Sequence, residues 1–435
     1  MNLSYYLIES SLQSGGVLLI SSRTQKYLVL NNDLAENFFN FKRTMKIDDL
    51  DLELKALLLE FKMLIESNEN EFQSIYDNYW KERIEGSSIL NLTLATTLGC
   101  NLRCGYCFEQ HKQSINLSSE DEASIFKFVS HRLDETKEGL HVTWFGGEPL
   151  LGIKSIERLS KQFMQLATFQ GKTYSADIIT NGVLLTDENA KILKKALVSG
   201  LQVTMDGDKE VHDKMRPASN KGSYEDVLKG VMVSRGYFNT AIRMNLTHEN
   251  LSSIPLLLET LASLELFDVS LNFAPVIFKD KSEEHGGYLT REEFASAELK
   301  LSKMAVELGF SVTSGFGSNE SSLPCTVLDP SHYTLEPKGA VHKCVDFLGD
   351  YEHTVAQMEE GKLSPKKGQV TWDNYDVFTF YQPDMDDDCH NCQYLPLCYG
   401  GCPKNRIVGY DKRKYICTPL RFNLIEMLKL ELEIE

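Results

Sequence analysis

The run TTLGCNLRCGYCFEQ, Thr96–Gln110, decides how the rest of the chain is read. It sets Cys100, Cys104 and Cys107 in a CxxxCxxC loop directly after Leu90–Thr96, whose alternating apolar residues read as a strand. Three thiolates in one loop suit three corners of a cubane iron–sulfur cluster. The fourth iron is then left open to a small molecule, whereas a fully ligated electron carrier would want a fourth cysteine nearby. A structural zinc site is the competing use of such thiols.

Working outward from this loop, strand and helix patterns alternate. Strands are expected at His141–Phe145, Tyr174–Thr180, Leu201–Met205, Ala241–Leu246 and Val269–Phe273, with amphipathic helical stretches such as Asp187–Val198 between them. Six βα repeats over residues 88–308 imply an α/β fold, a partial (β/α)6 barrel of parallel strands with its working residues at strand ends. Residues 1–87 read as a small α+β unit: strands Tyr5–Ile8, Val17–Ser21 and Lys26–Leu30, then helices Asp33–Lys42, Leu50–Ile65 and Glu71–Ile84. After a helix at Arg291–Leu308, residues 309–435 form a Cys-, Gly- and Pro-containing region that ends in a helix, Arg421–Leu430. Three units agree with 435 residues, too many for one core.

A net charge of −17 argues against binding to nucleic acid, which needs a basic footprint. No apolar run is long enough to span a membrane, and MNLSYYLIESSLQSGG lacks the pattern of an export signal, so a cytoplasmic location is expected. There the ten cysteines would stay reduced, which favours metal binding over disulfides.

CxxxCxxC with Tyr106 before the last cysteine resembles the signature of the radical S-adenosylmethionine (radical SAM) superfamily. Further segments carry the same resemblance in order along successive strands. Gly146, Gly147, Glu148 and Pro149 match its GGEP motif, whose glycines let the backbone approach the methionine amino group. Thr180 and Asn181, then Thr204 and Asp206, end the third and fourth strands where relatives contact the ribose and carboxylate. Arg243, two residues before Asn245, and Arg216 are expected to supply charged donors for the ligand carboxylate. Each string alone also suits an ordinary turn or a surface ion pair. The resemblance implies a reductive start: a low-potential cluster, reaching as low as about −700 mV in proteins, is charged by a flavodoxin or ferredoxin and cleaves S-adenosylmethionine to a 5′-deoxyadenosyl radical.

The seven later cysteines read Cys325, Cys344, Cys389-x2-Cys392-x5-Cys398-x3-Cys402 and Cys417. Alone, their CxxC and CxxxC pairs also suit zinc. Behind a radical SAM domain they resemble the SPASM extension, a match that includes YLPLCYGGCP, Tyr394–Pro403, and implies two auxiliary [4Fe–4S] clusters, three clusters in all. By carry-over, Cys389, Cys392, Cys398 and Cys417 would hold the distal cluster, and Cys325, Cys344 and Cys402 the nearer one. Some relatives place an eighth cysteine here; this chain has none, so one iron is expected to be open. Sulfatase-maturing relatives carry a proton-accepting aspartate directly after the cysteine equivalent to Cys344. Here Val345 intervenes, and Asp346 is the candidate acceptor.

The N-terminal unit resembles the winged-helix-like leader-recognition module of enzymes that modify ribosomally made peptides, which bind a leader by adding it to a sheet edge. The expected function is therefore a radical SAM oxidoreductase that matures a precursor peptide by an intramolecular cross-link, a thioether above all, since an open iron suits a cysteine thiolate. A formylglycine-forming, sulfatase-type protein maturase is the alternative among enzymes. An iron–sulfur electron carrier or peptide-binding protein is the alternative of another class.

Overall fold

The computed structural model describes all residues except 110–113, 136–137, 220, 277–286, 318–322, 367–388 and 435. Parts of the expected Cys-rich region, 318–322 and 367–388, thus lie outside the described residues.

The chain opens with β1 (Asn2–Leu3), β2 (Leu7–Ser11), β3 (Val17–Ser21) and β4 (Lys26–Leu30), followed by α1 (Asn32–Thr44), α2 (Leu52–Glu60), β5 (Leu64–Ile65) and α3 (Glu71–Glu85). Strands β2, β3 and β4 form an antiparallel sheet in that order, and β3, all apolar but for its last serine, is buried throughout. The helix expected over Leu50–Ile65 is shorter. Lys62 takes a left-handed φ of 54°, and Leu64–Ile65 pair antiparallel with Asn2 and Leu3. A continuous apolar run cannot by itself separate a buried helix from a buried strand.

The alternating pattern then builds β6 (Ile89–Ala95), α4 (Ser119–Glu135), β7 (Gly139–Phe145), α5 (Ile153–Phe169), β8 (Thr173–Thr180), α6 (Asp187–Lys195), β9 (Val198–Thr204), α7 (Lys209–Met215), α8 (Tyr224–Ser234), β10 (Asn239–Leu246), α9 (Ile254–Ser263), β11 (Ser270–Pro275) and α10 (Arg291–Glu307). Strands β6 to β11 are parallel neighbours in sequence order, the partial barrel that six βα repeats imply. Their helix-facing residues Leu92, Val142, Ile178, Val203 and Ile242 meet Ile156, Leu159 and Phe163 of α5 and related helix faces in one core. The helical pattern of Asp187–Val198 ends early because Leu197 turns left-handed, φ 56°, releasing Val198 into β9.

The C-terminal region contributes β12 (His332–Leu335), β13 (Ala340–His342), β14 (Ala356–Glu359), β15 (Lys362–Pro365), α11 (Leu395–Cys398), α12 (Pro403–Val408) and α13 (Leu420–Glu431). Strand β12 pairs in parallel with β6, His332 opposite Asn91 through Leu335 opposite Leu94, and β13 to β15 continue antiparallel. The barrel sheet therefore runs on into the Cys-rich region as ten strands.

The N-terminal unit packs against this same region. Tyr79 stacks obliquely on Tyr399 with ring centres 5.1 Å apart, and Phe72 meets His390 at 4.3 Å. Ile8, Leu12, Leu18 and Ile20 bury against Leu397, Leu424 and Leu428. Tyr5 Oη donates to Asn391 O at 2.6 Å, and Gln393 Nε2 donates to Tyr5 O and Leu7 O, each at 3.1 Å.

Candidate active site

A cavity of about 280 Å3 opens at the C-terminal ends of the parallel strands, lined by Cys100, Cys104, Cys107 and by residues from the ends of β7 to β10. Its floor is a close backbone contact. Gly147 N donates to Thr97 O at 3.0 Å and Glu148 N to Gly99 O at 2.9 Å, which clamps the end of β7 onto the cysteine loop. A Cβ on Gly146 would stand 2.3 Å from Thr97 O, and one on Gly147 2.3 Å from Gly99 O. Gly146 also has a φ of 124°, which L side chains rarely adopt. These glycines thus admit the backbone of the cysteine loop as well as facing the cavity.

Glu148 is fully buried. Its carboxyl accepts from Thr180 Oγ1 at 2.7 Å, Asn181 N at 2.8 Å and Leu150 N at 2.9 Å. Burial pushes its pKa up against the pull of these bonds, so the residue ties β7 to β8. Pro149 O accepts from Thr96 Oγ1 at 3.1 Å. Asn181 Nδ2 donates to Asn101 Oδ1 at 2.7 Å and lies 3.7 Å from Cys100 Sγ, which holds the cysteine loop from the third strand end.

On the opposite wall, Tyr106, Asp206 and Arg216 bind one another. The Tyr106 hydroxyl donates to Asp206 Oδ2 and accepts from Arg216 Nη1, and Arg216 Nη1 lies 3.3 Å from Asp206 Oδ2. Asn245 joins through its N–H to Asp206 Oδ1 at 2.8 Å and its Nδ2 to Tyr106 Oη at 3.2 Å. Burial pushes the Tyr106 phenol well above its usual range, and Asp206 adds to the effect. Of the buried Arg216 guanidinium, Nε has no partner among the described residues, so it retains one donor at the cavity wall.

Arg243 enters the cavity beside Asn245, whose Oδ1 accepts from Arg243 Nε at 2.9 Å. Burial lowers its pKa, and the charge of Asp346 opposes that shift. Thr204 lines the same wall.

Asp346 and Val345 form the far side of the cavity. Asp346 Oδ2 lies 3.5 Å from Nζ of Lys404, itself fully buried. The extra residue between Cys344 and Asp346 does not remove the carboxylate, because a tight helical turn over Val345–Phe347 swings Asp346 inward. Behind it stand Cys325, Cys344 and Cys402. Burial pushes Cys325 up to about 12 and Cys344 well above the usual thiol range, with added repulsion from Asp346 and from the other thiols of the trio.

The remaining four cysteines form a separate group. Cys389, Cys392, Cys398 and Cys417 line one small cavity, and burial together with the other three pushes Cys398 up to about 12. Cys325, Cys344 and Cys402 are not among the residues that line this cavity. Among the described residues, no three His, Cys, Asp or Glu side chains converge on a single ion-sized point.

Residues not singled out in the sequence also belong to the site. Gln202 lines the cavity two positions before Thr204, on the same face of β9, a place that strand alternation alone would have found. Buried His212 accepts from Asp206 N at 3.3 Å through Nδ1, and burial lowers it to about 3, so it serves as a neutral acceptor. Lys404 carries no sequence signal beyond its closeness to Cys402.

A parallel α/β sheet with three thiols, a glycine clamp and buried cations at its C-terminal rim defines an enzyme that handles a charged small-molecule ligand there. Residues 94–261 match the model of the radical SAM superfamily. The chain is 24% identical over 366 residues to a serine-type anaerobic sulfatase-maturating enzyme of Bacteroides thetaiotaomicron, covering 73% of this chain and 84% of that one. It is 22% identical over 416 residues to the radical SAM cyclopropyl synthase TigE of Paramaledivibacter caminithermalis, covering 87% and 80%. Among solved structures, anSMEcpe with bound AdoMet and the Cp18Cys peptide aligns with a TM-score of 0.60 at 18% identity over 79% of this chain and 97% of that one. Streptococcus suis SuiB bound to precursor peptide SuiA aligns at 0.51 and 15% identity over 96% and 99%.

The chain is a radical SAM enzyme, similar in sequence to sulfatase-maturating enzymes and in fold to anSMEcpe and SuiB. S-adenosylmethionine and one [4Fe–4S] cluster are therefore its cofactors. The three thiols of the cavity, the unpartnered Arg216 Nε and the inward Arg243 fit such a pair: soft donors for iron and cations for a carboxylate. Among the described residues no helix is long and apolar enough to cross a membrane.

Proposed function

We propose that the chain matures a ribosomally made precursor peptide by an intramolecular cross-link, a thioether in the first instance. The observation that carries this reading is that one cavity is bounded by Cys100, Cys104 and Cys107 and, across it, by Asp346 in front of the Cys325, Cys344 and Cys402 trio. Cys100, Cys104 and Cys107 would hold the first cluster, with Asn181 steadying the loop, while the unpartnered Arg216 Nε and Arg243 offer charge to the ligand's carboxylate. When cluster and S-adenosylmethionine are bound and a flavodoxin- or ferredoxin-type donor supplies the electron, the chemistry there is homolysis to an adenosyl radical that takes hydrogen from carbon. Asp346 stands where it can accept the substrate's proton, and Lys404 stabilises its charge. Cys389, Cys392, Cys398 and Cys417 would hold a fully ligated distal cluster. The trio would hold the nearer one with an iron open to a peptide thiolate.

The leader is assigned to the N-terminal unit at residues 1–87. In its three-stranded sheet β4 is an edge strand with Tyr27 and Val29 exposed, a surface suited to strand addition. One observation favours the sulfatase-type alternative: Asp346 reaches the cavity despite Val345, where it could serve as the proton acceptor of that reaction class.

Anaerobically reconstituted protein with S-adenosylmethionine and dithionite should release 5′-deoxyadenosine; none would overturn the enzymatic reading. Co-expression with a short cysteine-bearing peptide encoded beside its gene should lower the peptide's mass by two hydrogens per cross-link. Formylglycine in a neighbouring sulfatase, with no change in any peptide, would reverse the choice.

A further inference from the structure

The four-cysteine group is met by cations aimed at sulfur. Arg406 Nη2 lies 3.6 Å from Cys389 Sγ, and Arg421 Nη1 lies 3.8 Å from Cys417 Sγ, both as hydrogen-bond donors. The first arginine is built in. Its Nε donates to Gly400 O at 2.7 Å, and a Cβ on Gly400, where φ is 94°, would stand 2.7 Å from Arg406 Nη2. The glycine of YGGCP therefore leaves room for the guanidinium. Arg421, on the first turn of α13, also faces the charge of Cys392. The three-cysteine group has both signs at its side, the carboxylate of Asp346 and the cations Lys343, Arg291 and Lys404.

We propose that Arg406 and Arg421 raise the reduction potential of the distal cluster. Reduction adds a negative charge to a cluster, and N–H donors and positive charge at its sulfurs favour that charge. A neighbouring carboxylate opposes it. These arginines touch ligand sulfurs and not the reacting atoms, so they are tuning residues.

The proposal rests on the reading of Cys389, Cys392, Cys398 and Cys417 as cluster ligands, and the test separates the two. Full-length reconstituted enzyme is titrated potentiometrically, followed by electron paramagnetic resonance, with iron counted in every sample. Cys389→Ala/Cys392→Ala identifies the distal signal by its loss, with about four of about twelve irons. Unchanged iron and spectra in that variant would overturn the ligand reading itself. In Arg406→Gln and Arg421→Gln the distal midpoint should fall, each variant shifting the reduced-to-oxidised ratio at fixed potential by about tenfold, about 59 mV for one electron. The other two midpoints should stay in place. Where a Gln variant loses the distal iron, the matching Lys variant, which keeps charge but loses the guanidinium geometry, should load and show a smaller fall. A distal midpoint unmoved in the loaded variants, or an equal shift in all three clusters, overturns the proposal.

Discussion

The two cysteine regions are built in opposite ways. Cys100, Cys104 and Cys107 hang from the rim of a parallel sheet, where short backbone bonds from Gly147 and Glu148 and the side chain of Asn181 position the loop. The seven later cysteines sit on turns and short helices. Their surroundings are supplied from afar, by Tyr79 and Phe72 of the N-terminal unit and by arginines. A rigid sheet lets a short motif define a site locally. Irregular chain needs surfaces contributed by distant residues, because it has no ladder of its own to hold it.

The sharpest way to break this contrast is to remove the distant support. Tyr79→Ala deletes a fully buried ring that packs on Tyr399, and should cost about 4 kcal/mol in urea unfolding. Iron should be lost from the distal group before the first loop; equal loss from both would show that the first site is not autonomous. Gly147→Ala tests the other side. Its Cβ meets backbone of the cysteine loop, so nothing flexible can yield, and about 3 kcal/mol of stability should go together with iron at Cys100, Cys104 and Cys107. Gly400→Ala meets the flexible end of Arg406 instead and, despite its positive φ, should cost only about 1–2 kcal/mol. An equal cost at both glycines would erase the distinction.

Arg243→Met should weaken S-adenosylmethionine binding by about tenfold to hundredfold in equilibrium dialysis, the loss of one charge-assisted contact of about 1.5–3 kcal/mol. Binding left intact would exclude Arg243 from the ligand's carboxylate.

The smallest effect concerns pH. Glu298 of α10 accepts from Asn423 Nδ2 of α13 at 2.8 Å, and burial raises it from 4.5 to about 7 against that bond. A carboxyl with a raised folded value stabilises fully below the unfolded value. Its contribution is lost as pH climbs from about 4.5 through about 7. Glu298→Gln should therefore flatten the dependence of the unfolding free energy on pH across that window, by about 1–2 kcal/mol. An unchanged slope would show that Glu298 is solvated.

What the sequence by itself determined is whatever depends on spacing along one stretch of chain. The strand periodicity, the CxxxCxxC loop and the strand-end motifs each lie within a few residues, and the fold places them at one rim. The resemblance also offered a grouping of the seven later cysteines into four and three. Tertiary structure decided the rest. That Tyr106, Asp206 and Arg216 bind one another, that Glu148 braces two strands, that Asp346 turns into the cavity beside Lys404, and that Arg406 and Arg421 reach sulfur all depend on side-chain direction and burial. The docking of the N-terminal unit and the pairing of β12 with β6 join residues more than 200 positions apart. Contacts at that separation leave no period in a sequence, because their energy comes from complementary surfaces that exist only once each has folded.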